Sequence, residues 1–419
     1  MAVASAGVGP NVAVRVTGEA LRQVRRGHPW IFASSVTSVS RDGAPGDLAV
    51  VFDDRRRFAA VGLYDPASPI RVKVLHHGQP ATVDEAWWRE RLAAAVARRA
   101  PLLRSGTTTA CRLVHGESDG FPSLVVDRYA DTAVVKVYSP AWFPHLETLV
   151  LLLVELLAPE RVVLRLARSV APDPARGWTD GATLLGAPPA GPVAYRENGL
   201  AFEADVVHGQ KTGAFLDQRD NRRLVRSLAS GRSVLDVFAC TGGFSVHAAA
   251  GGAVAVHSVD LSRRALDTAR ANMARNRDVR PVRACTHTVA AGDAFEELAA
   301  LAAAGRRFDL VVVDPPSFAA NQRSVPGALR AYGRLTRLAL GVLAPDGLLF
   351  QASCSSRVPE EAFLDAVHGA ARRAGVQLDE VARTGHPADH PIAFPEAAYL
   401  KAVVARVATP PRRRARGAG

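Results

Sequence analysis

Residues 233–261, SVLDVFACTGGFSVHAAAGGAVAVHSVDL, limit what this chain can fold into more than any other stretch. An apolar run at 234–238 carries one acid, Asp236, and then turns through Ala239-Cys240-Thr241-Gly242-Gly243. Phe244 onward has the spacing of a short helix, and 253–259 reads as a second buried strand ending on Asp260. Strand, glycine turn, helix and a second strand ending in a carboxylate is the sequence form of a nucleotide-binding corner. Gly242 and Gly243 let the backbone come close to a ligand, and Asp260 lies where a ribose diol can donate to it. The GxGxxG spacing of dinucleotide enzymes is absent, which weighs against a dehydrogenase.

From residue 193 the pattern is strands alternating with helices, which predicts a doubly wound parallel sheet. The expected strands are 234–238, 253–259, 282–289, 310–313, 348–352 and a late pair at 378–383 and 398–407. Acids stand at the ends of several of them, where such sheets bind ligands. Asp260 with Leu261 follows the second strand, Asp293 with Ala294 the third, and Asp314-Pro315-Pro316-Ser317-Phe318 the fourth. One such acid alone is more often a strand end or helix cap than a ligand. The ordered set fits S-adenosylmethionine: Asp260 for the ribose, Asp293 for the adenine amine, Asp236 with the Gly242-Gly243 backbone for the methionine end. Phe238, Leu261 and Ala294 count with them as cofactor-binding candidates.

Ahead of the sheet, residues 208–225, HGQKTGAFLDQRDNRRLV, form a mixture that core-building does not ask for. Lys211, Thr212, Phe215 and Gln218 are read as a lid or floor for the cofactor, with Arg219 and Arg222 able to reach an anionic group. Far downstream, FQASCSSRV puts Cys354 at a strand end in the same sheet as Asp314. A thiol there could attack an electron-poor ring carbon. Activating it needs a nearby cation or helix N-terminus, which the sequence does not locate.

The remainder divides into residues 1–80, whose regular short strands predict a small β-barrel, and 81–192, an α+β segment ending in the Pro/Gly-rich run 172–192. The sheet domain is expected over 193–408, with a basic tail at 409–419. A net charge of +12 favours a polyanionic partner, with Arg22, Arg25, Arg26 and Trp30 as RNA-binding candidates. Trp30 has a competing reading as part of the barrel core. His115, Glu117 and Asp119 imitate a metal cluster, but a turn rich in Gly and Asp explains them; no metal is expected. The four cysteines are scattered, which gives neither a zinc pattern nor a disulfide framework. No secretory leader is recognisable, so a cytoplasmic protein is expected.

The series RRGHPWIFASSV, YDPASPIRVKVL, GESDGFPSLVVDRY, HGQKTGAFLDQRDNR, DVFACTGGFS, SVDLS, DPPSF, SCSS and ADHPIAFPEAAYLK resembles the bacterial 23S ribosomal RNA cytosine-5 methyltransferases that carry a PUA domain. The resemblance implies an α/β chain: a PUA β-barrel, a middle α+β domain and a class I methyltransferase domain with a Rossmann-like sheet. It further implies that Cys354 adds to carbon 6 of cytosine and that Asp314 hydrogen-bonds the base edge. The sequence departs from the family at Cys240, where Tyr is usual, and at Ser317, where related enzymes with two cysteines carry the second. An N7-guanine methyltransferase of the same architecture, or a non-catalytic RNA-binding assembly factor, stays open, as does a homodimer.

Overall fold

In the computed structural model, which describes residues 11–319 and 321–408, the alternation VAVRV buries Val12, Val14 and Val16 on one face of β1 (Val12–Val16). Thr17 caps α1 (Gly18–Arg25) by accepting from the Ala20 amide. With β2 (Trp30–Phe32), β3 (Val36–Val39), β4 (Leu48–Phe52), β5 (Phe58–Tyr64) and β6 (Ile70–His77), β1 builds a mixed sheet of order β2-β6-β5-β4-β1-β3. Its core gathers Val12, Val14, Val24, Ile31, Val51 and Val72. Ile31 takes the buried side of β2, so its neighbours point the other way: Trp30 is half-buried and Phe32 is 44% exposed. The barrel-core reading of Trp30 is therefore corrected; period-two alternation excludes it.

Asp84 caps α2 (Glu85–Leu103), accepting from the Trp87 amide at 2.9 Å. The helix covers a second sheet built from β7 (Ala110–His115), β8 (Leu124–Tyr129), β9 (Thr132–Val137), β10 (Arg161–Leu166) and β11 (Thr183–Leu185), in order β11-β10-β9-β8-β7. Between β9 and β10 runs α3 (Leu146–Leu157). Pro140–Leu157 reaches the length and hydropathy of a membrane span. Its Leu146, Leu149, Leu152 and Leu153 pack into the core with Trp88, Leu92 and Trp142, and Glu155 on its outer side pairs with Arg89 at 2.9 Å. That is the pattern of a core helix. The Pro/Gly-rich run contributes the short edge strand β11.

The hairpin β12 (Val193–Glu197) and β13 (Leu200–Ala204) stays with this part of the chain. Thr109 N donates to Arg196 O at 2.9 Å and Gly199 N to Thr107 O at 2.7 Å. The first compact unit runs through Leu216 and also takes Ala388–Ala397. The Arg99 guanidinium holds Asp119 with two bonds, at 3.0 and 2.6 Å, and donates to Asp389 O at 2.8 Å. The buried turn acid is thus paired within the unit. Its neighbour Glu117 accepts from Trp30 Nε1 at 3.0 Å. Among the described residues no group of three or more His, Cys, Asp or Glu is arranged for a metal ion.

The second unit, Asp217–Pro387 and the chain from Ala398 on, is the doubly wound sheet. In chain order it comprises α4 (Arg219–Leu228), β14 (Ser233–Val237), α5 (Gly243–Ala250), β15 (Ala255–Asp260), α6 (Arg263–Arg275), α7 (Arg280–Ala284) and β16 (Thr286–Ala291). It continues through α8 (Ala294–Ala303), β17 (Phe308–Val313), α9 (Val325–Val342), β18 (Leu343–Ser353), α10 (Glu360–Arg373), β19 (Leu378–Thr384) and β20 (Lys401–Val407). The order is β16-β15-β14-β17-β18-β20-β19, with only the β20 pairings antiparallel. The expected strand at 282–289 divides into α7, opened by Pro281 in its first turn, and β16. The run FDLVVV of β17 is almost wholly buried, as a central strand covered on both faces must be.

Candidate active site

Strand register decides which side chains meet at the C-terminal edge of the second sheet. Val237 pairs with Val259 and with Val313, and Asp260 pairs with Ala291. Phe238 and Asp314 therefore follow the last paired positions of β14 and β17, Asp260 is the last paired residue of β15, and Asp293 comes two residues after the end of β16. Asp236 pairs with Ser258, one step further inside.

The turn after β14 needs left-handed backbone at Phe238 (φ 65°), Cys240 (φ 48°) and Gly242 (φ 77°). A Cβ on Gly242 would stand 2.7 Å from the Ala269 Cβ of α6, and one on Gly243 would stand 2.9 Å from Arg222 Cδ of α4. Gly242 is thus required by close packing against α6 as well as by φ, and Gly243 packs closely against Arg222 of α4. Asp260 locks the turn: its Oδ2 accepts from Cys240 N and its Oδ1 from Ser262 N, each at 2.8 Å. Each carboxylate oxygen keeps a second lone pair, so the acid can still accept from a diol. Beside it Leu261 is 79% exposed, an apolar platform at the sheet edge. Asp293 caps α8 through Oδ1, which accepts from Phe295 N at 2.9 Å and Glu296 N at 3.3 Å, while Ala294 is buried as the first helical residue.

Asp236 is 0% exposed. Its Oδ2 accepts from Ser245 Oγ at 2.5 Å, and a chain continues through Ser258 Oγ (2.7 Å) to His287 Nε2 (2.8 Å). Its Oδ1 has no well-formed hydrogen bond. Burial pushes the carboxyl up to about 6, offset in part by Ser245. The acid read for the methionine end therefore sits inside the sheet and braces the turn through α5. The remaining donor set suits S-adenosylmethionine: an acid at a strand end for the ribose, an exposed leucine beside it, a capping acid with a spare oxygen, and a glycine cradle.

The catalytic candidates lie further along the same edge. Val313 pairs with Gln351, so Ser353 and Cys354 come one and two places beyond the level of Asp314, beside the Pro315-Pro316 turn that follows β17. Gln218 Nε2 donates to Asp314 Oδ1 at 2.7 Å, and Gln218 is itself held by Asn221 Nδ2 at 2.5 Å. Gln218, read as a cofactor residue, is thus in contact with the catalytic candidate Asp314. Half-buried Cys354 directs its thiol to Pro315 O at 3.7 Å. Tyr332 of α9, fully buried, shares a hydrogen bond with Ser353 Oγ at 2.9 Å. Its phenol is pushed up to about 12, by burial first and then by Cys354 and Asp314.

Lys401 is the residue the sequence reading missed. It pairs with Ser353 across β18 and β20, is 5% exposed, and donates from Nζ to the carbonyls of Ser355 and Val358. Burial pulls its ammonium down to about 8, opposed by Cys354 and Glu360. One signal was present: the chain holds 52 Lys and Arg together, of which only Lys73, Lys136, Lys211 and Lys401 are lysine.

The other candidates belong to the first unit. Thr212 is buried, donating to Asp127 Oδ2 at 2.5 Å and bonded to Tyr129 OH at 3.0 Å. The Lys211 ammonium stands 4.4 Å over the Phe215 ring, and the Lys211 carbonyl accepts from Lys136. Arg22 pairs with Glu19, and Arg25 with Asp53 at 3.0 Å, while Arg26 is exposed. Trp30 packs edge-on against Phe394 (5.2 Å) and His28 (5.7 Å), so part of its partner set comes from the returning segment 388–397.

A family model for S-adenosylmethionine-dependent methyltransferases matches residues 156–406, and one for PUA-like domains matches 14–77. A protein of Deinococcus radiodurans named ribosomal RNA large subunit methyltransferase is 48% identical over 405 residues, 96% of this chain and 98% of its own. One of Shewanella amazonensis, named ribosomal RNA large subunit methyltransferase I, is 37% identical over 390 residues, covering 92% and 97%. The solved structure of a candidate SAM-dependent methyltransferase from Streptococcus mutans, 22% identical, shares the fold with a TM-score of 0.80 over 94% of this chain and all of that one. The chain is an enzyme of the S-adenosylmethionine-dependent methyltransferase family, in the branch whose relatives bear the name ribosomal RNA large subunit methyltransferase and join a PUA-like domain to the catalytic one.

Proposed function

We propose that the protein methylates carbon 5 of a cytosine in large-subunit ribosomal RNA, with Cys354 as a transient covalent nucleophile. The observation that carries this reading is the placement of Cys354 beside Asp314 at the edge that also holds the cofactor corner. Asp260, Leu261, Asp293 and the turn at Gly242-Gly243 are the residues suited to hold S-adenosylmethionine. When bound, it supplies an electrophilic methyl carbon on a sulfonium.

Carbon 5 of cytosine is a weak nucleophile. Thiolate addition of Cys354 to carbon 6 moves the ring electrons toward carbon 5, which can then take the methyl group. Asp314, held by Gln218, assists as a carboxyl that hydrogen-bonds the base edge near N3, donating its proton there as the ring takes up the thiolate's electrons. A base, water or a side chain, takes the proton lost from carbon 5, the double bond reforms and the sulfur leaves as thiolate. The target base must be unpaired or flipped out to reach the edge. The PUA-like domain, with Arg22, Arg25, Arg26 and Trp30, is the proposed RNA contact, and an rRNA substrate puts the enzyme in the cytoplasm.

Methylation of guanine N7 needs no thiol, because N7 is itself nucleophilic; Cys354 favours cytosine. Mass spectrometry of nucleosides from large-subunit rRNA separates the two. A strain lacking the gene should lose 5-methylcytidine, regain it with the wild-type gene and fail to regain it with Cys354→Ala. Unchanged 5-methylcytidine in the deletion strain overturns the cytosine reading, and loss of 7-methylguanosine replaces it.

A further inference from the structure

A cysteine in its ordinary state is a poor nucleophile near neutrality, since a thiol of pKa about 8.5 is only a few per cent thiolate. The needed partner is a cation close to the sulfur and shielded from water. Ser353 and Lys401 are directly paired across β18 and β20, so their side chains project to the same face of the sheet. Ser353 Oγ meets Tyr332 OH on that face. The Lys401 ammonium turns under the loop that follows Cys354, where it donates to the carbonyls of Ser355 and Val358. An ammonium has three donors, and two are used in this way.

The composition agrees with a selected position. In a chain that uses arginine almost everywhere, lysine stands at a buried site here, as Lys73 does against Asp65. Lysine is a compact point charge, whereas guanidinium is a wide planar fork. The neighbouring charges are few in kind: Asp314 follows β17, Tyr332 lies on α9, Glu360 opens α10, and Arg357 of the same loop is exposed to solvent. Burial and the Cys354 charge act on Lys401 in opposite directions, as expected of an ammonium beside a sulfur that titrates.

We infer that Lys401 is the positioning cation of the nucleophile, holding the loop 354–358 in place and standing as countercharge to the Cys354 sulfur. The inference rests on the reading of Cys354 as nucleophile. Lys401 keeps its protons throughout: the thiol proton goes to water, and the countercharge favours the thiolate before addition and again when it leaves the ring.

The test is the pH dependence of Cys354 alkylation by iodoacetamide in the full-length protein, read on the Cys354 peptide by mass spectrometry. The wild-type midpoint should lie about one unit below that of the same peptide in the urea-unfolded chain. Lys401→Met should raise it by about one unit, slowing alkylation at pH 7 about tenfold. Methyl transfer by Lys401→Met should fall further at pH 7 than at pH 9, which a purely structural lysine would not produce. A Lys401→Met protein that is natively folded with an unmoved midpoint overturns the inference. Should that variant not fold, equal midpoints in the native and unfolded wild type overturn it. Failure of the underlying reading looks different: Cys354→Ala would then still restore 5-methylcytidine, whatever Lys401 does.

Discussion

The proposed cofactor corner and the proposed catalytic edge lie on one sheet but are assembled in opposite ways. Everything in the corner from Asp236 to Leu261 comes from one βαβ passage, and much of its chemistry is backbone: a left-handed turn, a helix start, a strand end. The edge draws Gln218, Asp314, Tyr332, Cys354 and Lys401 from five separate segments, joined by the order β14-β17-β18-β20 and by side-chain hydrogen bonds. Binding a ligand by backbone and one acid can be written locally. Activating a thiol requires charges that chain neighbours cannot supply at the right distance, so the fold must bring them in.

If the regions are functionally separate, Asp314→Asn shows it most strongly. Asparagine keeps an oxygen for Gln218 but removes the carboxyl group at the base edge. Single-turnover methyl transfer should fall by roughly 10²–10³-fold, while S-adenosylmethionine affinity by calorimetry changes less than about twofold, or about 0.4 kcal/mol. A matching loss of affinity would merge the two regions into one site.

Asp260→Ala is the reciprocal change. It removes the strand-end acceptor and also the lock on Cys240 N and Ser262 N. Hydrogen bonds to a charged group are worth about 1.5–3 kcal/mol, so cofactor affinity should weaken about 10- to 100-fold. The rate at saturating cofactor should hold near wild type. A collapse of that rate at full occupancy would mean that the corner also shapes the chemistry.

The corner was readable because strand period, glycine turn and terminal acid are all short-range signals. Asp260, Asp293 and Asp314 stand at strand ends as expected, and register explains why. The same register, invisible in one dimension, puts Asp236 a step inside and turns it into a brace. Cys354 could be picked out, but the buried lysine near it could not: Lys401 comes opposite Ser353 only because β20 returns antiparallel to β18. Gln218 could be singled out but its bond to Asp314 could not, since a non-periodic segment says nothing about which acid it meets. The return of residues 388–397 to the first unit, where Phe394 meets Trp30, has no local signature either. What escaped in each case is a long-range pairing with no periodic trace in the chain.

The smallest predicted effect is on stability, and it distinguishes the regions by sign. Burial raises Asp236 from its ordinary 3.8 to about 6, so between those values the folded chain holds a proton the unfolded chain has lost. The associated stability is complete below about pH 4 and is lost as pH rises through about 6, for a total of roughly 3 kcal/mol at most. Asp236→Asn cannot ionise, so its urea midpoint should vary less between pH 4 and pH 7 than that of the wild type. Parallel pH profiles would mean that Asp236 stays ionised in the folded protein and contacts a cation more closely than its Ser245 partner implies. Lys401 works the other way: its lowered pKa of about 8 makes the folded chain release a proton first, so its contribution rises with pH above that value. Moving from pH 4 to pH 10 should therefore loosen the corner before it relieves the edge.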